Sequence, residues 1–411
     1  MIHSFFVWNG LGYTFSMDSH NLPAWWAHRQ GLADGAKSTT AAKILESVGW
    51  SRSVGGVGPY LTLFSRGRHG RQSIDKAVSD CEIHELPAAR GCTYVVPACD
   101  FALALTCAQG TGEEQEMKVA RKLGVTDSEI DKLSSAILTA LKNGPLDPEG
   151  IRQATGDASR SLGPEGQMKG MTTTLPLAIS KLQVLGCIRR LSVNGRLDQQ
   201  RYQYTLWSPN PLEKSKWTKE EAHVELARRY FRWIGPATLP EFQWFSGLGV
   251  KAANAAVEPL QLAAYDEDKW MHPQDLDSLR SFKPSKDHEY HLTSSMDSMV
   301  LLRRNHTSLL ASQDLNRSIL GDKGIAALSS VSDLPSHAIF TNHGRLVGLW
   351  EYDKDTQNIA YCSFEPKNAA LVKAVEETEG FIKDQVGDAR SFSLDSPKSR
   401  IPRIQALREM A

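Results

Sequence analysis

Residues 172–195 read TTTLPLAISKLQVLGCIRRLSVNG and decide the fold. Three threonines precede an apolar face at helical spacing, and Gly186 follows as a helix stop. Cys187 to Val193 then alternates like a strand, Asn194-Gly195 predicts a tight turn, and Tyr202 to Trp207 predicts the return strand. A helix followed by a hairpin is the second half of a winged helix-turn-helix.

Two helices before this stretch complete the module. Thr126 and Glu129 form a capping pattern ahead of apolar residues at helical spacing. Asp147 caps a second, short helix, and Pro148 suits its first turn. Similar patterns on both sides predict three winged-helix modules in tandem. The predicted modules are 17–110, 111–212 and 213–292.

The ends of the chain differ from these modules. Residues 1–16 are predicted to be an N-terminal extension. Strand-like alternation and a helix at 369–386 predict a β-rich, barrel-like domain over 293–411, so the fold class is α+β. Residues from Ser391 are predicted to pack on the surface.

The balance of charge hides an asymmetry. The chain has 411 residues, 47 basic and 47 acidic side chains, and therefore no net charge. Residues 151–235 carry a balance of +7, whereas residues 251–411 carry −4. A uniformly basic nucleic-acid binder is excluded, but a locally basic one is not.

Composition and motifs exclude further classes of protein. Six cysteines without a CxxC pair predict reduced thiols, an intracellular protein and no metal site. No apolar run is long enough to predict a membrane span. Walker A, GxGxxG, HExxH and GxSxG motifs are absent, so no cofactor is expected. Nothing in the sequence suggests an oligomer, and we expect a monomer.

The basic stretch predicts contacts with duplex DNA. Hydroxyls at the start of a recognition helix and cations on the following wing suit bases and phosphates. A solvated basic face is the alternative. The predicted DNA-binding residues are Lys169, Thr172, Thr173, Thr174, Lys181, Arg189, Arg190, Arg196 and Arg201.

The glycine-rich loop 49–60 is the candidate catalytic loop. Its backbone could approach a ligand, and Trp50 and Tyr60 could stack on a flipped base. Arg52 offers a cation, although a simple connecting loop is the alternative reading. Downstream, His84 and Glu85 could share proton transfer. Arg66, Arg90 and Tyr94 complete the predicted substrate-binding set.

The run Ala227 to Gly247, ARRYFRWIGPATLPEFQWFSG, resembles the signature of the bacterial winged-helix DNA glycosylases, which release alkylated bases and unhook interstrand crosslinks. Further similar pieces are Arg90–Tyr94, Pro59–Arg66, Asp297–Arg303 and Gly344–Gly348. The resemblance implies a glycosylase with a DNA-sized channel. The catalytic Gln-x-Gln or Gln-x-Asp motif of the family falls on Arg52, Ser53 and Val54.

The chain departs from the family at two places. An arginine replaces the first glutamine of the motif, and a cation there would oppose an oxocarbenium ion. Near the C-terminus, Glu351 and Asp353 are predicted to repel phosphates. Three functions therefore remain open. The chain could be a DNA glycosylase with a divergent catalytic loop, a catalytically silent DNA-binding protein, or a repurposed fold that binds or transforms a small molecule.

Overall fold

The computed structural model describes residues 21–33, 39–198, 201–215, 217–303, 306–389 and 397–410. The predicted N-terminal extension lies outside these residues. The described helices are α1 Asn21–Arg29, α2 Ala41–Val48, α3 Gly58–Gly67, α4 Arg71–Ser79, α5 Phe101–Ala108, α6 Gly112–Arg121, α7 Asp127–Ala140, α8 Pro148–Thr155, α9 Gly163–Met168, α10 Leu175–Val184, α11 Lys219–Ile234, α12 Leu239–Ser246, α13 Val250–Val257, α14 Pro273–Ser281, α15 Ser298–Leu301, α16 Ala369–Phe381 and α17 Pro397–Glu409.

The described strands all pair in antiparallel ladders. They are β1 Ser51–Arg52, β2 Ile83–Pro87, β3 Thr93–Pro97, β4 Ile188–Ser192, β5 Tyr202–Leu206, β6 Ala237–Thr238, β7 Ala263–Ala264, β8 Lys269–Met271, β9 Tyr290–Thr293, β10 Ser318–Gly321, β11 Gly324–Ala327, β12 His337–Thr341, β13 Leu346–Asp353 and β14 Asn358–Ser363.

One order of elements recurs along the first 271 residues: helix, strand, two helices, and a hairpin. It appears as α2-β1-α3-α4-β2-β3 and again as α11-β6-α12-α13-β7-β8. Between them, α7, α8, α10 and the β4–β5 hairpin follow the same order, with Leu146 bridging to Tyr204 in place of the first strand. In each case the first strand pairs with the last.

The capping signals read from the sequence operate in the structure. The Thr126 hydroxyl accepts from the Glu129 amide, and the Asp147 carboxylate accepts from the Gly150 amide. Gly247 ends α12 at φ +75°, a left-handed conformation that favours glycine. The third helix of the last repeat ends at Val257, and a 3-10 turn over Glu258–Leu260 follows it.

Hydrophobic cores cross the predicted module boundaries. One core joins Trp50 and Tyr94 of the first repeat to Trp233 and Phe245 of the third. Another core joins the first repeat to the C-terminal sheet around Trp350. The second repeat has a separate core. The boundaries themselves remain predictions.

The C-terminal region contains an open sheet, which corrects the expectation of a barrel. Its four strands lie in the order β14-β13-β12-β9, and within the described ranges β14 and β9 do not pair with each other. The strands lie in the region that was predicted to be β-rich, although β12 and β13 are buried along their whole length rather than on alternate residues. Closure could not be read from the sequence, because it depends on strand tilt and stagger rather than on alternation. The predicted helix 369–386 is α16, extended by a π-helical turn over Ile382–Val386.

No helix in the described part of the chain is long and apolar enough to cross a membrane.

Candidate active site

A cavity of about 230 Å³ lies between the hairpin of the first repeat and the hairpin of the second. We call it the Glu85 cavity. Its lining residues are Val78, Ser79, His84, Glu85, Arg189, Arg190, Leu191, Ser192, Gly195 and Leu197. Strand β2 supplies the carboxylate, and strand β4 supplies the cations.

Glu85 is a buried carboxylate that several groups hold in place. It is 5% exposed. The Ser53 hydroxyl donates to its Oε1 atom, and the Tyr202 hydroxyl hydrogen-bonds to the same carboxylate. Arg190 places Nη1 3.8 Å from Oε2. Each carboxylate oxygen has two acceptor positions, so Glu85 retains capacity to accept from a further donor such as water.

The two arginines on β4 differ in their partners. The Arg190 guanidinium lies 4.9 Å from the centroid of the Tyr202 ring and pairs with Glu85. Its Nε atom is buried without a hydrogen-bond partner in the described residues. Arg189 borders the cavity, and no described carboxylate pairs with it. Of these two arginines, therefore, only Arg190 pairs with a carboxylate among the described side chains.

His84 forms another wall of the cavity and is buried. Its ring centroid is 5.3 Å from that of Trp207 and 6.3 Å from that of Phe101. Neither ring nitrogen has a hydrogen-bond partner among the described groups. Burial, aided by Arg189 and Arg190, lowers the pKa of His84 to about 3. The ring is therefore neutral at pH 7 and has no imidazolium proton to donate there.

A second cavity of about 360 Å³ lies on the other side of this aromatic wall. It is bordered by Phe101, Trp207, Cys81 and Cys99. Arg189 borders both cavities. Of the two cavities, only the smaller one is lined by a carboxylate, that of Glu85.

The predicted catalytic loop contributes only part of this site. Ser53 meets Glu85. Arg52 instead donates from Nη1 to the Thr93 carbonyl at 2.9 Å, and its guanidinium carbon lies 5.4 Å from the Tyr94 ring centroid. Within the loop, Gly49 has φ +103°, and a β-carbon there would lie 3.2 Å from the Trp233 ring. This glycine allows close packing of the chain rather than approach to a ligand.

Trp50 and Tyr60, the predicted stacking aromatics, are buried, and so is Tyr94 of the predicted substrate-binding set. The Trp50 indole nitrogen donates to Asp100 at 3.0 Å. The Tyr60 hydroxyl donates to Asp75 and accepts from the Leu197 amide. None of the three rings presents a face on which a base could stack, because their apolar area was used to form the core.

The two other predicted substrate-binding residues lie in contrasting places. Arg66 is fully buried and forms a bidentate pair with Asp297, at 2.8 and 2.7 Å. It is a structural group rather than a substrate contact. Arg90 is exposed, and its guanidinium carbon lies 4.7 Å from the Trp244 ring centroid.

The predicted DNA-binding residues divide into exposed and buried groups. Lys169 and Lys181 are paired at the surface with Glu165 and Asp131. The exposed or half-exposed residues are Lys169, Thr172, Thr173, Lys181, Arg189, Arg190 and Arg201. The buried residues are Thr174 and Arg196.

Arg196 differs from the predicted exposed wing cation. Its guanidinium pairs with Asp198 and, at 2.8 Å, with Asp388. The end of the wing is therefore tied to the C-terminal region, and the adjacent Leu197 amide donates to Tyr60. The wing forms a wall of the Glu85 cavity.

The acidic C-terminal segment is also corrected. Glu351 is buried and lies 2.8 Å from Arg400 on α17, and Asp353 lies 2.7 Å from Arg408 on the same helix. Both carboxylates are neutralised from within the chain, so the predicted repulsion of phosphates does not arise there. The sequence pattern gave no sign of this pairing, because α17 lies some 50 residues away.

Sequence reasoning missed Tyr202 as a partner of Glu85 and assigned Arg189 and Arg190 to phosphates. The hairpins that carry these groups are about 90 residues apart in sequence, since one ends at Pro97 and the other begins at Ile188. Within the sequence, the only available signal was Tyr202 alternating with Tyr204 on the return strand.

Comparison with a solved structure establishes the fold class. Streptomyces sahachiroi DNA glycosylase AlkZ is similar to this chain with a TM-score of 0.67 at 17% sequence identity. The match covers 90% of this chain and 97% of that one. The chain therefore has the mixed helix-and-sheet fold of that glycosylase. No curated protein matches the sequence.

Residues 57–381 match the profile of a family described as DNA glycosylase AlkZ-like. This match spans most of the chain, and the chain belongs to the AlkZ-like DNA glycosylase family. Membership confirms the predicted class, a DNA repair glycosylase.

Proposed function

We propose that the chain binds duplex DNA through winged-helix repeats and hydrolyses the bond between a damaged base and its sugar in the Glu85 cavity. The observation that carries this proposal is a buried carboxylate, Glu85, held by Ser53 and Tyr202 at the wall of a cavity. The recurring order of helix, strand, two helices and hairpin supports winged helices, and family membership supports DNA as the partner.

The chemistry needs a carboxylate in such a setting. As the C1′–N bond breaks, its electron pair leaves with the base, and positive charge develops on the sugar. A fixed carboxylate stabilises that charge, accepts the proton of the attacking water and orients its oxygen. Glu85 has this capacity, because Ser53 and Tyr202 fix its orientation while leaving acceptor positions available.

Exposed cations of the second repeat would hold the DNA backbone. Lys169 and Lys181 form surface pairs, which are weak and exchange readily for phosphates. Arg201 is exposed on the wing. Thr172 and Thr173 lie before α10, where hydroxyls can reach a groove. A protein that acts on DNA in this way works inside the cell.

The test compares Glu85→Gln with Glu82→Gln. Glu82 is exposed and lies just before the same strand, so it controls for loss of a charge at that place. We expect Glu85→Gln to slow base release from a damaged duplex by about 100-fold or more. Affinity for the duplex, measured by fluorescence anisotropy, should not change.

Two results would change the assignment. Equal base release by Glu85→Gln and wild type would remove the carboxylate from the mechanism. DNA binding by wild type without release from any damaged duplex would leave the second hypothesis, a silent DNA-binding protein.

A further inference from the structure

Two arginines of the first repeat have no acidic partner among the described side chains. They are Arg52, at the end of β1, and Arg90, in the turn between β2 and β3. The other three arginines of this repeat each lie within 3.2 Å of a carboxylate oxygen, Arg66 with Asp297, Arg68 with Glu377 and Arg71 with Asp75. Pairing with a carboxylate is therefore the rule in this repeat, and two of its arginines depart from it.

An aromatic ring contacts each of these two guanidinium groups. The guanidinium carbon of Arg52 lies 5.4 Å from the centroid of the Tyr94 ring, and that of Arg90 lies 4.7 Å from the centroid of the Trp244 ring. The Arg52 Nη1 atom also donates to the Thr93 carbonyl at 2.9 Å. A contact with a ring restricts the motion of a guanidinium group but does not use up its N–H donors. Both arginines are thus held in place with donors still available.

The backbone also fixes Arg90. Its φ is +60°, in the left-handed region that residues other than glycine seldom occupy. Gly247 packs against its side chain, and a β-carbon at that glycine would lie 2.8 Å from the Arg90 Cγ atom. Residues held in this region of backbone conformation cluster at ligand clamps and active sites. The position of Arg90 is therefore set by the fold on two sides.

Both arginines lie near the same tyrosine. Burial raises the pKa of Tyr94 to about 12, and the charges of Arg52 and Arg90 both oppose this rise. Arg90 is exposed and Arg52 is half-buried, so an anion in solution can reach both. Two neighbouring cations repel each other when no anion lies between them, and an anion that binds both removes this repulsion.

Resting on the duplex binding proposed above, we propose that Arg52 and Arg90 together bind one phosphodiester of the DNA backbone. The oxygens of a phosphodiester share a negative charge, and guanidinium groups suit them because their donors lie in a rigid fork. Arg52 and Ser53 are consecutive, so their side chains leave opposite faces of the strand. Since Ser53 meets Glu85, the phosphodiester is bound on the other face and anchors the DNA strand outside the Glu85 cavity.

The experiment measures the affinity of the full chain for short duplexes by fluorescence anisotropy. Every duplex contains one tetrahydrofuran abasic-site analogue, so that the protein binds in one register and releases no base. In each duplex a different single phosphodiester is replaced by an uncharged methylphosphonate. Wild type is compared with the double variant Arg52→Gln, Arg90→Gln. The control variant, Arg68→Gln with Arg152→Gln, also removes two arginines, but these are paired with glutamates at the surface.

We expect one methylphosphonate position to weaken binding by wild type about 10-fold or more, the loss typical of a hydrogen-bonded contact to a charged group. The double variant Arg52→Gln, Arg90→Gln should bind the duplex with that methylphosphonate and the unmodified duplex equally, because it lacks the contact. Its slope of log affinity against log salt should also fall by about 1. The control variant should be as sensitive as wild type to that methylphosphonate.

Each contrary result has a distinct meaning. If every methylphosphonate affects wild type and the double variant Arg52→Gln, Arg90→Gln alike, the two arginines bind no phosphodiester and the inference is wrong, whereas the glycosylase assignment stands. The inference is also wrong if this variant binds DNA as tightly as wild type and only its release of damaged bases is slower. If wild type does not bind duplex DNA at all, the proposed function fails as well.

Discussion

Two buried polar clusters lie about the first repeat, and they differ in completeness. The Arg66 cluster consists of Arg66, Asp297, Ser298, Gln30 and Thr62. Every nitrogen of the Arg66 guanidinium donates, with distances from 2.7 to 3.3 Å. Both Arg66 and Asp297 side chains are 0% exposed.

The Glu85 cluster consists of Glu85, Ser53, Tyr202, Arg190 and His84. Its closest ion pair spans 3.8 Å, and both nitrogens of His84 are unsatisfied within the described structure. It also borders a cavity.

The two clusters differ in how completely their buried polar atoms are paired. Buried polar atoms normally find partners, so a saturated cluster is what folding alone favours. Unpaired buried groups beside a cavity cost free energy, and such groups concentrate where a ligand can satisfy them. Charge and burial alone do not make this distinction, because both clusters hold a buried arginine or histidine and a carboxylate.

The largest expected effect is a loss of stability when the ion pair of the Arg66 cluster is broken. Asp297→Ala leaves the Arg66 charge buried without its partner and should lower the free energy of unfolding by about 3–5 kcal/mol. Glu85→Ala should cost less, because the Arg190 side chain is 26% exposed and can reach water. Urea denaturation of both variants measures the difference. Equal losses of unfolding free energy would mean that the two carboxylates contribute equally to the stability of the fold.

The second effect is a dependence of stability on pH, which His84 of the Glu85 cluster causes. The unfolded chain protonates His84 near pH 6.5, but the folded chain does so only near pH 3. Stability therefore falls as pH drops from 6.5 towards 3, because the unfolded state binds more protons. At pH 5 this amounts to about 2 kcal/mol.

His84→Phe should remove that part of the dependence, since a phenyl ring suits the space beside Trp207 and Phe101. Unfolding by urea at pH 7 and pH 5 measures it, and the contributions of the other histidines cancel in the difference between the two proteins. If the free energy of unfolding changed equally between pH 7 and pH 5 in wild type and variant, the ring would be protonated or solvated in the folded state.

The smallest effect distinguishes Arg201, which is exposed on the wing, from Arg196, which is buried and paired with carboxylates. Arg201→Ala should reduce the slope of log affinity for DNA against log salt by about 1, the change expected from loss of one phosphate contact. Arg196→Ala should leave that slope unchanged. It should instead lower stability by about 1–3 kcal/mol, because Asp198 is buried and would lose its partner. A salt slope that falls in both variants would place Arg196 on the DNA.

Local elements followed from the sequence because their causes are local. Caps such as Thr126 and Asp147, the stop at Gly186 and the strands of the C-terminal sheet appear where the pattern indicated. The family also followed, from the run between Ala227 and Gly247. The aromatic rings were misjudged because a residue type that stacks on bases also fills cores, and only packing shows which one applies.

The sequence by itself determined the helices, hairpins and family of this protein, since caps, turns and periodicity act over a few residues. The tertiary structure alone decided which charges meet. It brought Ser53, Glu85, Arg190 and Tyr202 together from separate repeats, buried Arg66 and Arg196 with carboxylates, and covered Glu351 with a distant helix. Electrostatic partners depend on distances between segments far apart in the chain, and no local pattern encodes those distances.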